Sequence, residues 1–430
     1  MKVEDRFTKY IVSIARILFG ITFIFSGFVK AVDPLGFTYK IQDYLILFQF
    51  TQLIPLALTF ALALIVLEFA IGAFLLLGIY RKWTSRFALF FMLVMTPLTL
   101  YIALANPVED CGCFGDALII SNWATFYKNL VLLVFAIILV VYSKHIRPVF
   151  SNKTKPYVFF YVILFFLAFS FYNIIYLPIL DFRPYSIGSN ISEKMGAGMT
   201  QGDVYENVYV YEKDGIEQSF TEDNFPWEDS TWTFVELKSE LISEGEKPEI
   251  QDFAIIAYHK DKDGIFVKSD NITKEFLSEK FSLLVVSLSL NGANEKKWTQ
   301  IQSIADYAAD NSIDMRIVTS SDEDAIKQLY ETMNDSNLKF ASMDELTLKT
   351  IIRSNPGLIL LKEGVVQAKW SKNNLPNAAQ MNKIISQSQI NEEGLTNNNS
   401  ASKLLIICLL FLIPLVGIKR YDRKVSKHIQ

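Results

Sequence analysis

What constrains this chain most is a series of apolar blocks long enough to cross a bilayer, for which a helix needs about 20 residues. The first is YIVSIARILFGITFIFSGFV, residues 10–29, and others cover roughly 53–79, 84–105, 123–142, 157–178 and 403–418. Lipid offers the backbone no hydrogen-bond partners, so all six are predicted to be helices. The first block is too long for a secretory leader, carries Arg16, and is followed by no small-x-small cleavage site, so it is read as retained. The last block is short, but its flanking lysines reach the interface.

Basic residues set the expected orientation. Lys2, Arg6 and Lys9 precede the first span, and Arg81, Lys82 and Arg86 lie between the second and third. Lys144, Arg147, Lys153 and Lys155 lie between the fourth and fifth, and Lys419, Arg420, Arg423, Lys424 and Lys427 follow the sixth. Six spans put all four groups on one side, expected to be cytoplasmic. The segment between Asn106 and Asn122 has no Lys or Arg and is expected to face outward, as is everything between the fifth and sixth spans.

That segment holds NPVEDCGCFGD, with two of the three cysteines, Cys111 and Cys113. A disulfide between them would close a very small, strained and easily reduced ring, which suits electron transfer better than bracing. Gly112 removes a Cβ that would hinder the turn. Glu109 and Asp110 are expected to raise the thiol pKa values and disfavour the thiolate. Passive packing of the two thiols is the competing reading. A metal site needs more ligands than the sequence supplies, since His145, His259 and His428 lie far apart. Cys408, inside the last block, reads as a packing residue.

Charges within membrane segments are costly and face partners or cavities. Arg16 in the first span and Glu68 in the second are expected to pair, as chemistry or as structure. Lys30 and Asp33, at the outer end of the first span, read as interface anchors. The 34 Phe and 19 Tyr are expected mostly on lipid-facing and interfacial surfaces. The net charge of −4, without a basic stripe interleaved with aromatics, speaks against nucleic acid.

Residues 181–400 are polar and alternate strand-like with helix-like stretches, an α/β pattern. NVYVYEKDGIEQSF reads as a hairpin turning at Lys213-Asp214-Gly215. DFAIIAYH, FSLLVVSLSL, MRIVTS and GLILLKEGVVQAKW read as core strands, and Ser321-Asp322-Glu323 as a helix start. INEEGLTNNNSAS, residues 390–402, has linker composition.

Two resemblances follow. Arg16, Gly20, SGFVKAVDP (Ser26 to Pro34), LEFAIGAFLLLG (Leu67 to Gly78), CGCFGD (Cys111 to Asp116), Trp123, Lys128 and Asn129 fall in order within residues 8–143. This stretch resembles the DoxX-like membrane family, most closely its MauE branch. The resemblance implies a four-helix membrane bundle with thiol or electron-transfer chemistry at the outer face, often with a quinone partner. MauE is tied to maturation of a disulfide-rich enzyme, and the resemblance keeps a role open for Lys30 and Asp33. Residues 250–390 resemble a thioredoxin-like domain through their element order and SNPGLILLKEGVVQAKW. There Pro356 matches the family's cis-proline and Gly364 its hairpin turn. The Cys-x-x-Cys that should follow FSLLVVSLSL is replaced by NGANEKKW, so a binding or scaffold role is implied, not dithiol exchange.

The expected division is therefore a DoxX/MauE-like four-helix membrane domain (1–150), a fifth membrane helix (151–180), and a periplasmic strand-rich linker region (181–249). A thioredoxin-like domain (250–390), a linker (391–402), a sixth membrane helix (403–418) and a cytoplasmic tail (419–430) follow. The expected function is a redox component of a bacterial inner membrane, with Cys111 and Cys113 as the reacting pair. Its expected partners are membrane lipid, a periplasmic protein client and, as acceptor, a quinone. The alternative is a non-enzymatic assembly factor whose cysteine-free domain docks a client.

Overall fold

The computed structural model describes all residues except 1, 109, 198–203, 222–223, 225, 227–228, 230, 244–247, 263–264, 292–294, 334–336, 391–399 and 428–430. Helices α1 (Lys2–Val32), α2 (Pro34–Leu47), α3 (Ala57–Leu77), α4 (Arg81–Ala105), α5 (Asn122–Val141) and α6 (Lys155–Ile175) come first. Strands β1 (Val204–Lys213), β2 (Ile216–Phe220) and β3 (Thr233–Ser243) follow. The α/β domain comprises β4 (Ile256–Lys260), β5 (Phe266–Asn271), α7 (Thr273–Ser278), β6 (Ser282–Ser287), α8 (Glu295–Asp310) and β7 (Asp314–Thr319). It continues with α9 (Glu323–Met333), β8 (Phe340–Ser342), α10 (Glu345–Ile351), β9 (Gly357–Lys362), β10 (Val365–Ser371) and α11 (Ala378–Ile390). The last helix is α12 (Ser400–Lys427).

Among the described residues, six helices, α1, α3, α4, α5, α6 and α12, are long and apolar enough to cross a membrane. The antiparallel pair α1/α3 is central. On one side Val12, Phe19, Ile71 and Leu75 pack with Met92, Leu132 and Leu139 of α4 and α5. On the other, Ile65, Phe69 and Phe74 pack with Val158, Val162 and Phe166 of α6 and Leu415 of α12. Close approach depends on glycine: a Cβ on Gly27 would sit 2.7 Å from the backbone nitrogen of Phe69. Part of the aromatic wealth is therefore core rather than lipid-facing; Phe19 and Phe23 stack inside the bundle.

One helix was not expected. Asp33 accepts from the Gly36 N–H and Pro34 opens α2, an Asp-Pro start that fits a first helical turn. The turn Asp214-Gly215 between β1 and β2 has φ of 53° and 79°, the left-handed pair of a two-residue hairpin. With β3 the hairpin forms its own three-stranded antiparallel sheet, more than linker. Within the expected start Ser321-Asp322-Glu323, Asp322 accepts from the Ala325 N–H at the head of α9. Of the expected linker 390–402, residues 391–399 lie outside the described residues, and Ile390 and Ser400 to Ser402 are helical.

The second sheet has seven strands in the order β10-β9-β6-β7-β8-β4-β5, with β6/β7 and β7/β8 parallel. Alternation along β6 explains its double burial: Leu283 and Val285 face α8, α9 and α11, while Leu284 and Val286 face α7 and α10. The order β7-β6-β9-β10 and the cis Asn355–Pro356 bond entering β9 form a thioredoxin-like arrangement.

Candidate functional site

The thiol loop lies at one end of the bundle. Gly112 has φ of 67°, a left-handed conformation that brings the flanking cysteines to the same side. Cys111 Sγ and Cys113 Sγ are 3.2 Å apart, both as free thiols. Tyr44 of α2 donates to the Cys111 carbonyl (3.1 Å). Lys40, one turn earlier, pairs with Asp110 at 2.9 Å, and Asp110 also accepts from the Gly112 N–H at 2.7 Å.

Beneath the loop, the charges pair differently from expectation. Lys30, not Arg16, meets Glu68, with Nζ 2.7 and 2.8 Å from the two carboxylate oxygens and both residues 4% exposed. The reason is depth. In the antiparallel pair, Glu68 is level with Lys30, whereas Arg16 lies about 21 Å farther down α1 at 1.5 Å per residue. Arg16 instead donates to the carbonyls of Leu75 (2.7 Å) and Leu76, in the last turn of α3, whose orphan acceptors and negative dipole end favour a cation. Lys30 is thus a buried partner rather than an interface anchor, and its ammonium also lies 4.7 Å from the Phe37 ring centre.

Ser26, one helical turn before Lys30, ties this pair to the loop. Its Oγ is 2.8 Å from Glu68 Oε2 and 2.7 Å from the Cys113 carbonyl, and its single proton serves one of them at a time. A cavity of about 30 Å³ opens beside it, lined by Cys113, Glu68, Lys128, Asn129, Met92 and Met95 among others. That is room for about two waters. A quinone ring, which the resemblance implied, does not fit in that volume.

The two thiols are electrically unlike. Cys111 is pushed well above the ordinary thiol range by its hydrogen bond to Cys113 and by burial. Cys113 is lowered to about 6 because the Cys111 thiol donates to it, with Lys128 and Lys30 adding attraction against the cost of burial. Raised thiols were expected from the acidic neighbours; Cys111 is raised, by Cys113 and burial, and Cys113 departs from that expectation. Asp110 is held by Lys40 and a backbone N–H, and Glu109 lies outside the described residues.

The α/β domain sits on this end of the bundle. Arg353, three residues before Pro356, reaches Asp33 with Nε 2.8 and 3.0 Å from its two oxygens, and Asp116 at 3.4 Å. Asp33 therefore both starts α2 and receives a cation from the other domain. A cleft of about 710 Å³ separates the two bodies, with Tyr39, Lys40, Asp110 and Gly112 on one wall and Arg183, Lys349 and Arg353 on the other. The sulfurs do not line it; the Gly112 backbone does. Sequence reasoning missed Lys40, Tyr44 and Arg353, and placed Ser26 and Asp116 within motifs without assigning them a role. The spacing of Ser26 four before Lys30 and the Asp-Pro start of α2 were the available signals. No signal marks Arg353, whose partner is 320 residues away. Among the described residues no cluster of His, Cys, Asp and Glu could hold a metal.

Curated proteins give no match to the chain. Among solved structures, it is similar to a peroxiredoxin-like protein from Aquifex aeolicus (16% identity, 32% of this chain and 85% of that one, TM-score 0.23). It is also similar to a thiol peroxidase from Chromobacterium violaceum (12% identity, 33% and 85%, TM-score 0.25). Residues 205–244, which include the three-stranded sheet's outer strands, match a family described only as a domain of unknown function. Residues 8–142, the first four spans with the Lys30–Glu68 pair and the thiol loop, match the family described as methylamine utilisation protein MauE.

Proposed function

We propose that this multi-pass membrane protein is a thiol redox component whose Cys111/Cys113 pair exchanges with a thiol-bearing protein client outside a bacterial cytoplasmic membrane. The observation that carries the reading is the sulfur pair at 3.2 Å, with Cys113 lowered to about 6 at the expense of Cys111. A thiolate is the form that attacks disulfides, and one whose pKa lies near ambient pH exchanges fastest. In the reducing direction, the Cys113 thiolate attacks a client disulfide sulfur, forming a mixed disulfide and a client thiolate. Cys111 then gives up its proton and attacks Cys113, closing the loop disulfide and releasing the second client sulfur. The reverse sequence oxidises a client dithiol. The basic segments around Arg81 and Lys144, which bond to one another, and around Lys419 gather at the opposite end of the bundle from the thiols. That distribution supports cytoplasmic termini and a periplasmic α/β domain.

The test is genetic and chemical. In a deletion strain, Cys111→Ser with Cys113→Ser should fail to complement, and Cys111→Ser alone should accumulate a mixed disulfide through Cys113. Full rescue by the double variant overturns the reading. A membrane-impermeant maleimide should reach the reduced loop in spheroplasts; labelling only by a permeant one reverses the orientation.

A second reading is favoured by one observation, the docking of Arg353 on Asp33 beside the thiol loop. Here the cysteine-free domain is a scaffold that holds a client at the bundle end. Loss of client crosslinking on removing the α/β domain, with the double serine variant still active, selects this reading.

A further inference from the structure

The chamber beneath Cys113 carries more than the thiol exchange requires. It is walled by four elements and the loop, and two of them bring charges to its wall, Glu68 of α3 and Lys128 of α5, while α4 contributes only Met92, Met95 and Phe91. Lys30 of α1 lines the cleft instead and reaches Glu68 from that side. Tyr44 of α2 and the Lys40–Asp110 pair touch the loop from its other side. Lys30 is consumed by Glu68 through two short bonds. Lys128 has no carboxylate within ion-pair distance among the described residues; its ammonium lies 4.3 Å from the ring centre of Phe114, the neighbour of Cys113. With the thiols neutral, the chamber and the Lys30–Glu68 pair at its edge therefore carry one cation more than they carry anions. A thiolate at Cys113 balances it, and a disulfide does not.

We infer that Lys128 and Glu68 are opposing controls on the thiol pair, and that the surplus cation tilts the pair toward taking electrons from client dithiols. Lys128 is a positioning residue for charge, acting on Cys113 across a space wide enough for water. The direction follows from linkage: whatever stabilises the thiolate stabilises the reduced loop, and a stabilised reduced form makes the disulfide a stronger oxidant. The step balances. A client dithiol reduces the loop disulfide, two electrons pass to the loop sulfurs, one proton is kept on Cys111, and the other leaves to water. The inference rests on the exchange reading but is tested without a client.

The experiment uses the full chain, reduced, in lipid nanodiscs. Ultraviolet thiolate absorbance is followed against pH, with the Cys113→Ser spectrum subtracted. Lys128→Met should raise the titration midpoint by about one pH unit, a tenfold change in acid dissociation. Lys128→Arg should restore it, and Glu68→Gln, which keeps a hydrogen-bonding partner for Lys30, should lower it. In parallel, equilibrium against glutathione should make Lys128→Met a weaker oxidant and Glu68→Gln a stronger one. Displacement in opposite directions supports the inference. Displacement of both variants in the same direction, as loosened packing would give, or movement of neither, overturns it. Either result leaves the cysteine complementation test to decide the exchange reading by itself.

Discussion

Two buried ionic clusters in this molecule look alike and differ in what surrounds them. In the α/β domain, Lys369 Nζ donates to Asp181 (2.8 Å) and to the carbonyls of Tyr185 (3.1 Å) and Ile351 (2.6 Å). Arg183 adds bonds to Asp181 (2.7 Å) and the Thr350 carbonyl (3.0 Å). Every ammonium proton of Lys369 is taken, and the acceptors belong to the domain's own frame. In the bundle, Lys30 and Glu68 are as deeply buried, but Ser26 connects them to a cysteine carbonyl and a water-sized space lies alongside. Lys30 is hydrogen-bonded as fully as Lys369, by both Glu68 oxygens and by Ser26 Oγ at 3.2 Å. Burial and hydrogen-bond completeness therefore do not distinguish the two clusters; the thiol beside one of them does.

The comparison can be broken most directly at Lys369. Lys369→Met leaves Asp181 buried with only Arg183, and should cost the α/β domain about 3–5 kcal/mol in denaturant unfolding. It should leave the Cys113 titration in place; a shift there would mean that the two clusters are coupled. Lys30→Met should do the opposite. Its unfolding cost is expected to be smaller, about 2 kcal/mol, because the adjacent space can admit water to Glu68. It should raise the Cys113 midpoint, read by the same absorbance titration.

Arg353→Ala sharpens the comparison at the contact between the bodies. Removing one partner of a largely buried charge pair should weaken docking by about 2 kcal/mol. Faster amide exchange in the first turn of α2, with unchanged exchange in β6, would report it. The smallest effect is one of pH. Burial favours neutral Asp181, but Lys369 and Arg183 outweigh it and hold the carboxyl well below the usual range. A depressed folded value means that this stabilisation is complete above the ordinary aspartate pKa of about 4 and declines as pH falls below it. Unfolding of the α/β domain followed from pH 6 downward should weaken in that window, and should do so less in Asp181→Asn.

Much of this was legible from residue pattern. Span length and apolarity gave all six membrane helices, because lipid leaves the backbone a single economical arrangement. Aliphatic and β-branched enrichment in stretches such as FSLLVVSLSL marked core strands, and Lys213-Asp214-Gly215 and, by resemblance, Gly364 marked the hairpin turns. The partner of Glu68 was not legible, because two cations on one helix compete and only relative depth decides between Arg16 and Lys30. The lowered thiol was hidden for a related reason. It depends first on the hydrogen bond to Cys111 and then on Lys128 and Lys30, which come from other helices. The contact of Arg353 with Asp33 is a product of docking two domains, for which a single sequence carries no local mark.

The shared use of Asp33 has a mechanical consequence. The carboxylate that opens α2 is gripped by Arg353, and the last turn of the same helix rests Tyr44 on the backbone of Cys111. Fourteen helical residues make a rod about 21 Å long, with no hinge along it to absorb motion. The helix thereby joins the Arg353 contact at one end to the Cys111 carbonyl at the other, so the sulfur loop and the α/β domain share one support.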